Sequence, residues 1–188
     1  DLATARGERY AHPGANPTVF FGSLDDDLAR RDLSINAMAL VLADGALLDP
    51  HGGLADLAAR RLRFLHAGSL TDDPTRLVRA ARYGARLGMD LAPGSLRQWS
   101  DTLARWPWPA VGTVPSLGTR LRRELELLLG REPWPQALQL LQGWQGLALL
   151  APGLQGDSSW QRRLRWADRL QAAADDIAAL IEREGGTA

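Results

Sequence analysis

Strand signals and helix signals occupy different parts of this 188-residue sequence. Up to Leu65, short apolar runs alternate with turn residues, and Asp44-Gly45 between two such runs is the strongest hairpin signal in the chain. After Gly88 the strand signals disappear, and proline or glycine breaks separate helical patterns. A boundary is therefore expected near Leu65–Asp72. This order predicts an α+β fold, with the strands first and an all-α part after them.

Turn and capping residues set the expected bounds of the individual elements. Ser23 is predicted to cap a helix that begins at Leu24, with Asp25–Asp27 in a solvated first turn that compensates the helix dipole rather than in a metal site. Strands are predicted at Asp1–Arg6, Thr18–Phe21, Ala37–Leu42, Ala46–Leu48 and Leu62–Leu65, and further helices at Leu54–Arg61, Thr71–Gly88, Gly94–Trp106, Ser116–Leu129, Pro133–Gly143 and Ser158–Glu184.

The composition argues against several classes of protein. All 22 basic residues are arginine and 22 acidic residues balance them, so bulk charge does not indicate a nucleic-acid-binding protein, and any attraction for phosphate must be local. The absence of cysteine removes disulfides, thiolate metal sites and cysteine nucleophiles, which fits a cytoplasmic protein. There is no apolar run of about 18 residues, so no membrane span is predicted.

The segment Arg30–Ala39, with the sequence RRDLSINAMA, places charged and amide groups on an otherwise apolar stretch. Arginine and aspartate are rarely buried without partners, so a packed segment would need partners for Arg31, Asp32 and Asn36. One interpretation is a set of ion pairs inside the protein. The other is a site for a phosphorylated ligand, because arginine binds phosphate oxygens and a carboxylate accepts from ribose hydroxyls.

Four arginines share one side of the helix predicted at Thr71–Gly88. Arg76, Arg79, Arg82 and Arg86 fall within about 120° of one another at 100° per residue. Such a stripe is typical of a solvated face or of a face that pairs with nearby acids, and equally of a phosphate-binding surface. The residues alone leave these interpretations open.

Two acid–arginine spacings are also informative. Asp73 and Arg76 are three residues apart and present an acceptor beside donors, an arrangement that suits the edge of a nucleobase or a simple pair. Arg120 and Glu124 are spaced for an i,i+4 ion pair. The seven tryptophans are predicted mainly as core or interface anchors, since most lie beside leucines at helical spacing. His51 is predicted to be a structural residue, because no two histidines have the spacing of a metal pair.

Several segments resemble one known family. DLARRDLSINAMA at residues 27–39 is similar to the DL-RRDFTINAMA signature of the class II tRNA nucleotidyltransferases and bacterial poly(A) polymerases. The similarity continues, in the same order, through DLATAR at 1–6, DPHGGLADL at 49–57 and DDPTRLVRAARYGARLG at 72–88, and more weakly through TRLRREL at 119–125. Beyond these segments the chain resembles the family only in its predicted helices.

The resemblance implies both an architecture and an activity. Residues 1–68 would be part of a polymerase-β-like nucleotidyltransferase head with a mixed or antiparallel sheet, residues 69–130 a helical neck that selects the nucleotide, and residues 131–188 a helical body. The implied activity is addition of CMP, AMP or both from CTP and ATP to a tRNA 3′ end without a nucleic-acid template, with two Mg²⁺ ions. CCA, CC, A and poly(A) synthesis remain alternatives at this point.

The resemblance also implies roles for individual residues. Arg31 and Asp32 would contact the ribose and hold the nucleotide, Asn36 would support the triphosphate, and Arg79 would contact the triphosphate. The pair formed by Asp73 and Arg76 would read the base. Arg120 and Glu124 would stabilise the neck beneath the nucleotide.

One part of the family pattern does not occur in this sequence. The family's GG-xxRD and D-x-D segments, which carry the metal-binding carboxylates, would precede Asp1, and Asp1 itself is a candidate catalytic and metal-binding carboxylate. The remainder of the same enzyme is therefore expected to complete the active site, and the chain by itself is expected to be inactive. The other interpretation is a non-catalytic fragment of the same descent that binds RNA or a partner chain through its arginines and tryptophans.

Overall fold

The computed structural model describes residues 2–106, 115–131, 133–151 and 153–185. Its α+β fold agrees with the prediction, because small strand pairs dominate the first part and helices the second. The elements in chain order are β1 Arg6–Arg9, β2 Thr18–Phe21, α1 Leu24–Ala29, β3 Ala39–Leu40, β4 Leu47–Leu48, α2 Gly53–Ala58, β5 Arg61–Leu62, α3 Ser69–Asp72, α4 Arg76–Leu87, β6 Asp90–Leu91, α5 Pro93–Leu103, α6 Pro115–Arg131, α7 Trp134–Gly143 and α8 Ser158–Gly185. Two 3₁₀ turns, Ser34–Asn36 and Gly146–Leu149, complete the described chain.

The first hairpin pairs β1 with β2 in an antiparallel register that sets Arg6 opposite Phe21 and Arg9 opposite Thr18. The second strand has the predicted bounds, but the first strand begins at Arg6 and not at Asp1. The reason is that the partner strand ends at Phe21, where the chain turns into the cap of α1. Leu2–Ala5 consequently have no long partner strand, and Ala5 accepts one last hydrogen bond from Gly22.

The cap of α1 has the predicted form. The Ser23 hydroxyl accepts from the backbone N–H of Asp26 at 3.2 Å, and the Asp26 carboxylate accepts from the backbone N–H of Ser23 at 2.8 Å. This reciprocal capping box satisfies two otherwise unpaired donors at the start of the helix. The helix ends at Ala29, so Arg30 and Arg31 follow directly after its last turn.

The helix predicted at Thr71–Gly88 is wrong in its first part, because it consists of two helices with a break between them. α3 ends at Asp72, and Asp73 is extended, with φ −147° and ψ 95°. Pro74 explains the break, since the residue before a proline is pushed out of the helical region. α4 then ends as predicted at Gly88, which has a φ of +64°.

The prediction that strands disappear after Gly88 is also wrong. β6 pairs in parallel with β5, setting Arg61 opposite Asp90 and Leu62 opposite Leu91. The Arg60 guanidinium holds the segment that leads into β6, because it donates to the carbonyls of Leu87 and Gly88 at 2.8 and 2.9 Å. A strand of two residues has no measurable period in the sequence. Its pairing links the first part of the chain directly to the helical part, and the division into head, neck and body stays a prediction.

The hydrophobic core lies where α4 packs against α6 and α7. Among the described residues, the fully buried apolar side chains include Leu33, Leu62, Leu70, Leu77, Val78 and Leu128. Gly84 allows the close approach of α4 and α7, because a Cβ there would lie 2.8 Å from a Leu140 methyl. The core thus fixes α4 between the strand-rich part and the helices, and one face of α4 is left for the site.

The tryptophans that the structure describes mostly have the predicted role as anchors. Trp99 is 2% exposed and donates to the Trp144 carbonyl at 2.7 Å, while the Trp144 indole donates to Asp90 at 2.7 Å. Trp134 and Trp160 pack partly buried against the core. Trp166, at 65% exposed, is an exception, and Trp108 lies outside the described residues. None of the described helices is both long enough and apolar enough to cross a bilayer.

Candidate functional site

A polar cavity of about 600 Å³ opens where the first hairpin, the segment after α1, α4 and α6 meet. Arginines and carboxylates form most of its walls, with two tyrosines. Its lining consists of Arg6, Glu8, Tyr10, Asn16, Pro17, Arg30, Arg31, Asp32, Asn36, Asp73, Arg76, Arg79, Tyr83 and Arg120. All six residues that the resemblance assigned to nucleotide binding therefore share one cavity. Arg120 joins them, Glu124 lies behind the wall, and Asp1 lies outside the described residues.

The wall that follows α1 is an ion-pair cluster around Asp27. This carboxylate is 7% exposed and binds Arg30 at 2.6 Å and Arg31 at 2.5 Å. Burial alone would raise the pKa of Asp27, but hydrogen bonds from Arg31 and Arg30 outweigh it and lower the pKa to about 2. The prediction of a solvated Asp25–Asp27 turn is therefore wrong for Asp27, which fixes both arginines at the rim of the cavity.

Asp32 is buried in the wall of the cavity, where both of its carboxylate oxygens accept hydrogen bonds. One carboxylate oxygen accepts from the backbone N–H of Leu33 at 2.8 Å and from the Asn36 amide at 3.0 Å. The other accepts from Arg79 at 3.2 Å. The segment thus combines both interpretations drawn from its sequence, since its charges are paired and still line an open polar space.

Behind Asp32, Glu124 neutralises two arginines of α4. Its carboxylate is 4% exposed and binds Arg79 at 2.6 Å and Arg82 at 2.5 Å. Burial lowers the pKa of Arg79, but the hydrogen bond and charge of Glu124, with the charge of Asp32, raise it overall. Two of the four arginines in the predicted stripe, Arg79 and Arg82, are therefore paired with an acid. Arg86, farther along, lies 4.9 Å from the Tyr83 ring centroid as a cation–π contact.

At the other end of the cavity, Asp73 and Arg76 bind different partners. One Asp73 oxygen accepts from the backbone N–H and hydroxyl of Thr75 at 3.1 and 2.7 Å, and the second lies 3.6 Å from Arg120. Arg76 is 5% exposed and donates one bond, at 3.2 Å, to the Arg30 carbonyl. Its Nη1 is buried and has no hydrogen-bond partner among the described residues.

An unpaired buried donor of this kind is costly, at about 1–3 kcal/mol for a neutral group and more for a charged one. In Arg76 this donor belongs to a guanidinium that lines the cavity. A ligand that supplies an acceptor there would recover the cost. This end of the cavity can therefore offer one acceptor, on Asp73, and one free donor, on Arg76, to the same ligand.

Arg120 connects this end of the cavity to the loop between β1 and β2. Its guanidinium donates to the Gly14 carbonyl at 2.5 Å and to the Ala15 carbonyl at 3.3 Å, and it approaches Asp73. The expected i,i+4 pair between Arg120 and Glu124 is not what the structure describes. The two side chains leave α6 towards different partners, because Glu124 faces Arg79 on α4 and Arg120 reaches the loop between β1 and β2.

Sequence reasoning did not select several residues of the lining. Glu8 accepts from Arg30 at 2.9 Å, from Arg6 at 3.2 Å and from the Tyr10 hydroxyl at 3.2 Å. Arg6, Glu8 and Tyr10 alternate at i, i+2 and i+4, the spacing of one face of a strand, and that signal could have indicated them. Burial raises the pKa of Tyr10, with Arg76 acting in the opposite direction.

The described residues do not provide a Mg²⁺ site. In the ranges that the structure describes, no three potential ligands of the His, Cys, Asp and Glu types cluster together. The carboxylates in the cavity wall, Glu8, Asp32 and Asp73, are each engaged by arginines or by other donors. Mg²⁺ prefers free carboxylate oxygens and water, so these residues do not fit it.

Comparisons with known proteins give a consistent picture. Residues 1–63 match the model of the poly(A) polymerase head domain family. A CC-adding tRNA nucleotidyltransferase of Deinococcus radiodurans is 46% identical over 196 aligned positions, which cover 97% of this chain and 50% of that protein.

Two solved structures show the same fold. A CCA-adding enzyme in its apo form II aligns with a TM-score of 0.73 and 29% identity, covering 87% of this chain and 38% of that one. A complex of a CCA-adding enzyme with CTP aligns with a TM-score of 0.65 and 30% identity, covering 76% and 34%. Compared with the CC-adding enzyme of Deinococcus radiodurans, the chain spans about half of the relative's length.

Proposed function

This chain belongs to the family of tRNA nucleotidyltransferases and poly(A) polymerases, and on that premise we propose that it selects the nucleotide for addition of CMP, AMP or both to the 3′ end of tRNA. The observation that carries the proposal is the pair at the end of the cavity. The Asp73 carboxylate and the unpaired Nη1 of Arg76 offer an acceptor beside a donor. No nucleic-acid template is needed if these two groups read the base.

The chemistry of the bases explains why this pair favours C and A. Cytosine and adenine both present an exocyclic amine donor next to a ring nitrogen acceptor on the pairing edge. Asp73 would accept from the amine and Arg76 would donate to the ring nitrogen. Uracil and guanine present a carbonyl acceptor next to an N–H donor, which is the reverse order. Either of those bases would leave the buried guanidinium without its acceptor and set a carbonyl against the carboxylate.

The rest of the cavity suits the sugar and phosphates of the same nucleotide. The Arg31 side chain is 43% exposed, so it keeps donors free for phosphate oxygens although Asp27 holds it. Asp32 would accept from a ribose hydroxyl, Asn36 would support the triphosphate, and Arg79 would contact it. A solved CCA-adding enzyme structure contains CTP, which supports a nucleoside triphosphate as the ligand of this fold.

The proposal also assigns two Mg²⁺ ions and catalysis to the complete enzyme. When bound, the metals would activate the 3′-hydroxyl and neutralise the phosphate charge. Since the described residues do not fit Mg²⁺, carboxylates from outside them would hold the ions, and Asp1 stays a candidate. The chain spans half of its curated relative, so we propose that it binds nucleotides by itself and reacts only together with the rest of the enzyme.

Equilibrium titration of the chain with CTP, ATP, UTP and GTP tests the proposal. CTP and ATP should bind at least about tenfold more tightly than UTP and GTP, which corresponds to one charge-assisted hydrogen bond. Asp73→Ala should remove that preference, and the control Asp101→Ala, on the exposed surface of α5, should leave it unchanged. Equal affinity for all four nucleotides would contradict the proposal and favour a non-catalytic fragment that binds RNA.

The product pattern decides among the related activities. The chain would be joined to the metal-binding segment of its own protein and incubated with tRNAs that lack the whole CCA end or only its final A, and with oligo(A). Extension by two C residues, by one A, or by CCA identifies the type of tRNA addition. Extension of oligo(A) alone would identify a poly(A) polymerase instead.

A further inference from the structure

The last helix, α8, extends beyond the folded part of the chain. It has 28 residues and a length of about 42 Å at 1.5 Å per residue. Trp160 and Leu164, near its start, pack against the core. From Arg165 to Ala178, every side chain that the structure describes is exposed. A single helix that far from its neighbours gains little from packing, and most helical stability in proteins comes from packing an apolar face.

An apolar stripe runs along this exposed part of α8. Trp166 is 65% exposed, Leu170 63% and Ile177 57%, and the exposed Ala173 lies between the last two. The spacings of four, three and four residues follow the alternation of four and three that defines a heptad seam. A solvated helix face would carry polar residues at these positions. The stripe is therefore built to contact another helix.

The charges beside the stripe select the direction of that second helix. Arginines cluster in the first half of α8, and acids follow in the second half. Arg169 and Asp176, both exposed, lie seven residues apart at the same heptad position flanking the stripe. In an antiparallel pair of identical helices, Arg169 of each copy comes next to Asp176 of the other. In a parallel pair, the two basic halves would lie side by side and repel.

We propose that α8 forms an antiparallel pair with α8 of a second copy of this chain. The seam is self-complementary in that register. Trp166 of each copy lies opposite Ile177 of the other, and Leu170 lies opposite Ala173. A large side chain thus meets a smaller one in every layer, as close packing between helices requires. The pairing is independent of the nucleotide site, because the lining of that cavity includes no described residue of α8.

Sedimentation equilibrium of the 188-residue chain over the micromolar range tests the pairing. We expect a reversible dimer. Arg169→Asp and Asp176→Arg should each raise the dimer dissociation constant by about tenfold, because two symmetric pairs become repulsive. The double variant Arg169→Asp/Asp176→Arg should restore the dimer. Arg165→Asp makes the same charge change away from the seam and should leave the dissociation constant unchanged.

Cross-linking gives the direction of the helices, since the chain contains no cysteine of its own. A mixture of Leu170→Cys and Ala173→Cys chains should form a disulfide between the two variants, and Ala173→Cys alone should form much less. The reverse result would mean parallel helices and would overturn the proposal.

Two other results would also overturn it. One is a monomer at every concentration, which would mean that the stripe has another occupant. The second is loss of tRNA binding in Arg169→Asp at unchanged molecular mass, which would identify α8 as an RNA surface. The charge-swapped variant separates these cases, because swapped charges restore a helix pair but not an RNA surface. Nucleotide affinity should be unchanged in all of these variants, because none of them alters the cavity lining, so failure here leaves the proposed function untouched.

Discussion

Arg76 and Arg79 lie three residues apart on α4 and line the same cavity, but their charges are neutralised in different ways. Arg79 is held between Glu124 at 2.6 Å and Asp32 at 3.2 Å. Arg76 binds one backbone carbonyl and keeps a buried Nη1 without a partner among the described residues. The first arrangement is complete without a ligand, and the second is not. Stability is therefore expected to depend on the Arg79 network, and ligand affinity on Arg76.

Breaking the Arg79 network should have the largest effect. Glu124→Gln leaves Arg79 and Arg82 without their shared carboxylate, and removing one partner of a buried ion pair costs about 3 kcal/mol or more of the free energy of unfolding. Urea denaturation measures it. The matched control is Glu126→Gln, since Glu126 forms an i,i+4 pair with Arg122 at 2.8 Å in which both side chains are mostly exposed. That pair should contribute less than about 0.5 kcal/mol. A similar loss of unfolding free energy in both variants would contradict the stabilising role assigned to the Arg79 network.

The complementary change is Arg76→Met, which keeps much of the side-chain volume and removes the guanidinium. The free energy of unfolding should change little, because the one hydrogen bond that is lost is offset by removal of a buried unpaired donor. The dissociation constant for CTP should rise by about 10- to 100-fold, the range of one charge-assisted hydrogen bond. Isothermal titration calorimetry measures this dissociation constant, and Arg97→Met, at an exposed position of α5, is the control. A large loss of stability with unchanged affinity would reverse the two roles.

The ion-pair cluster at the rim should give an acid-dependent contribution to stability. The folded-state pKa of Asp27 is lowered to about 2, from an ordinary value near 3.8. A lowered pKa means that the stabilisation is present above about pH 4 and is lost as the pH falls towards 2. The size of this contribution to the free energy of unfolding is about 2 kcal/mol. In urea denaturation between about pH 5 and about pH 2.5, Asp27→Asn should lose less stability than the wild type. An equal loss of stability in the wild type and in Asp27→Asn would show that the ion pairs of Asp27 do not stabilise the fold.

The sequence predicted elements whose signals are local. Ser23 is predicted to cap α1 and Gly88 to end the helix that contains Arg76, and the structure has the cap and the helix end at these residues. The break at Asp73 was missed although Pro74 signals it, since the acids before the proline suggested a continuous first turn. β6 was missed because two residues of strand have no periodicity, and only its partner β5 makes it a strand.

For the site as well, the sequence predicts which residues take part but not which partners they bind. The family resemblance selected half of the residues that line the cavity, but their contacts could not be predicted. Glu124 binds Arg79 across 45 positions, and Arg120 binds the Gly14 carbonyl across 106. Local spacing suggested that Arg120 and Glu124 pair with each other, because no signal in one sequence shows that α6 packs beside α4. Long-range packing decides which arginine is neutralised and which is left available.

The smallest expected effect concerns the acceptor beside Arg76. Asp73→Asn keeps the shape of the side chain and one acceptor oxygen, and that oxygen can still accept from Thr75. If the oxygen stays with Thr75, the NH₂ group faces the base; if the amide turns its oxygen towards the base, the bond to Thr75 is lost. The preference for CTP and ATP over UTP and GTP should fall by a few fold, about 0.5–1 kcal/mol, and should not vanish as in Asp73→Ala. Competition titrations with paired nucleotides measure the ratio. If Asp73→Asn removed the preference entirely, the negative charge and not the acceptor would be the selecting feature, and the contrast between Asp73 and Arg76 would then be electrostatic.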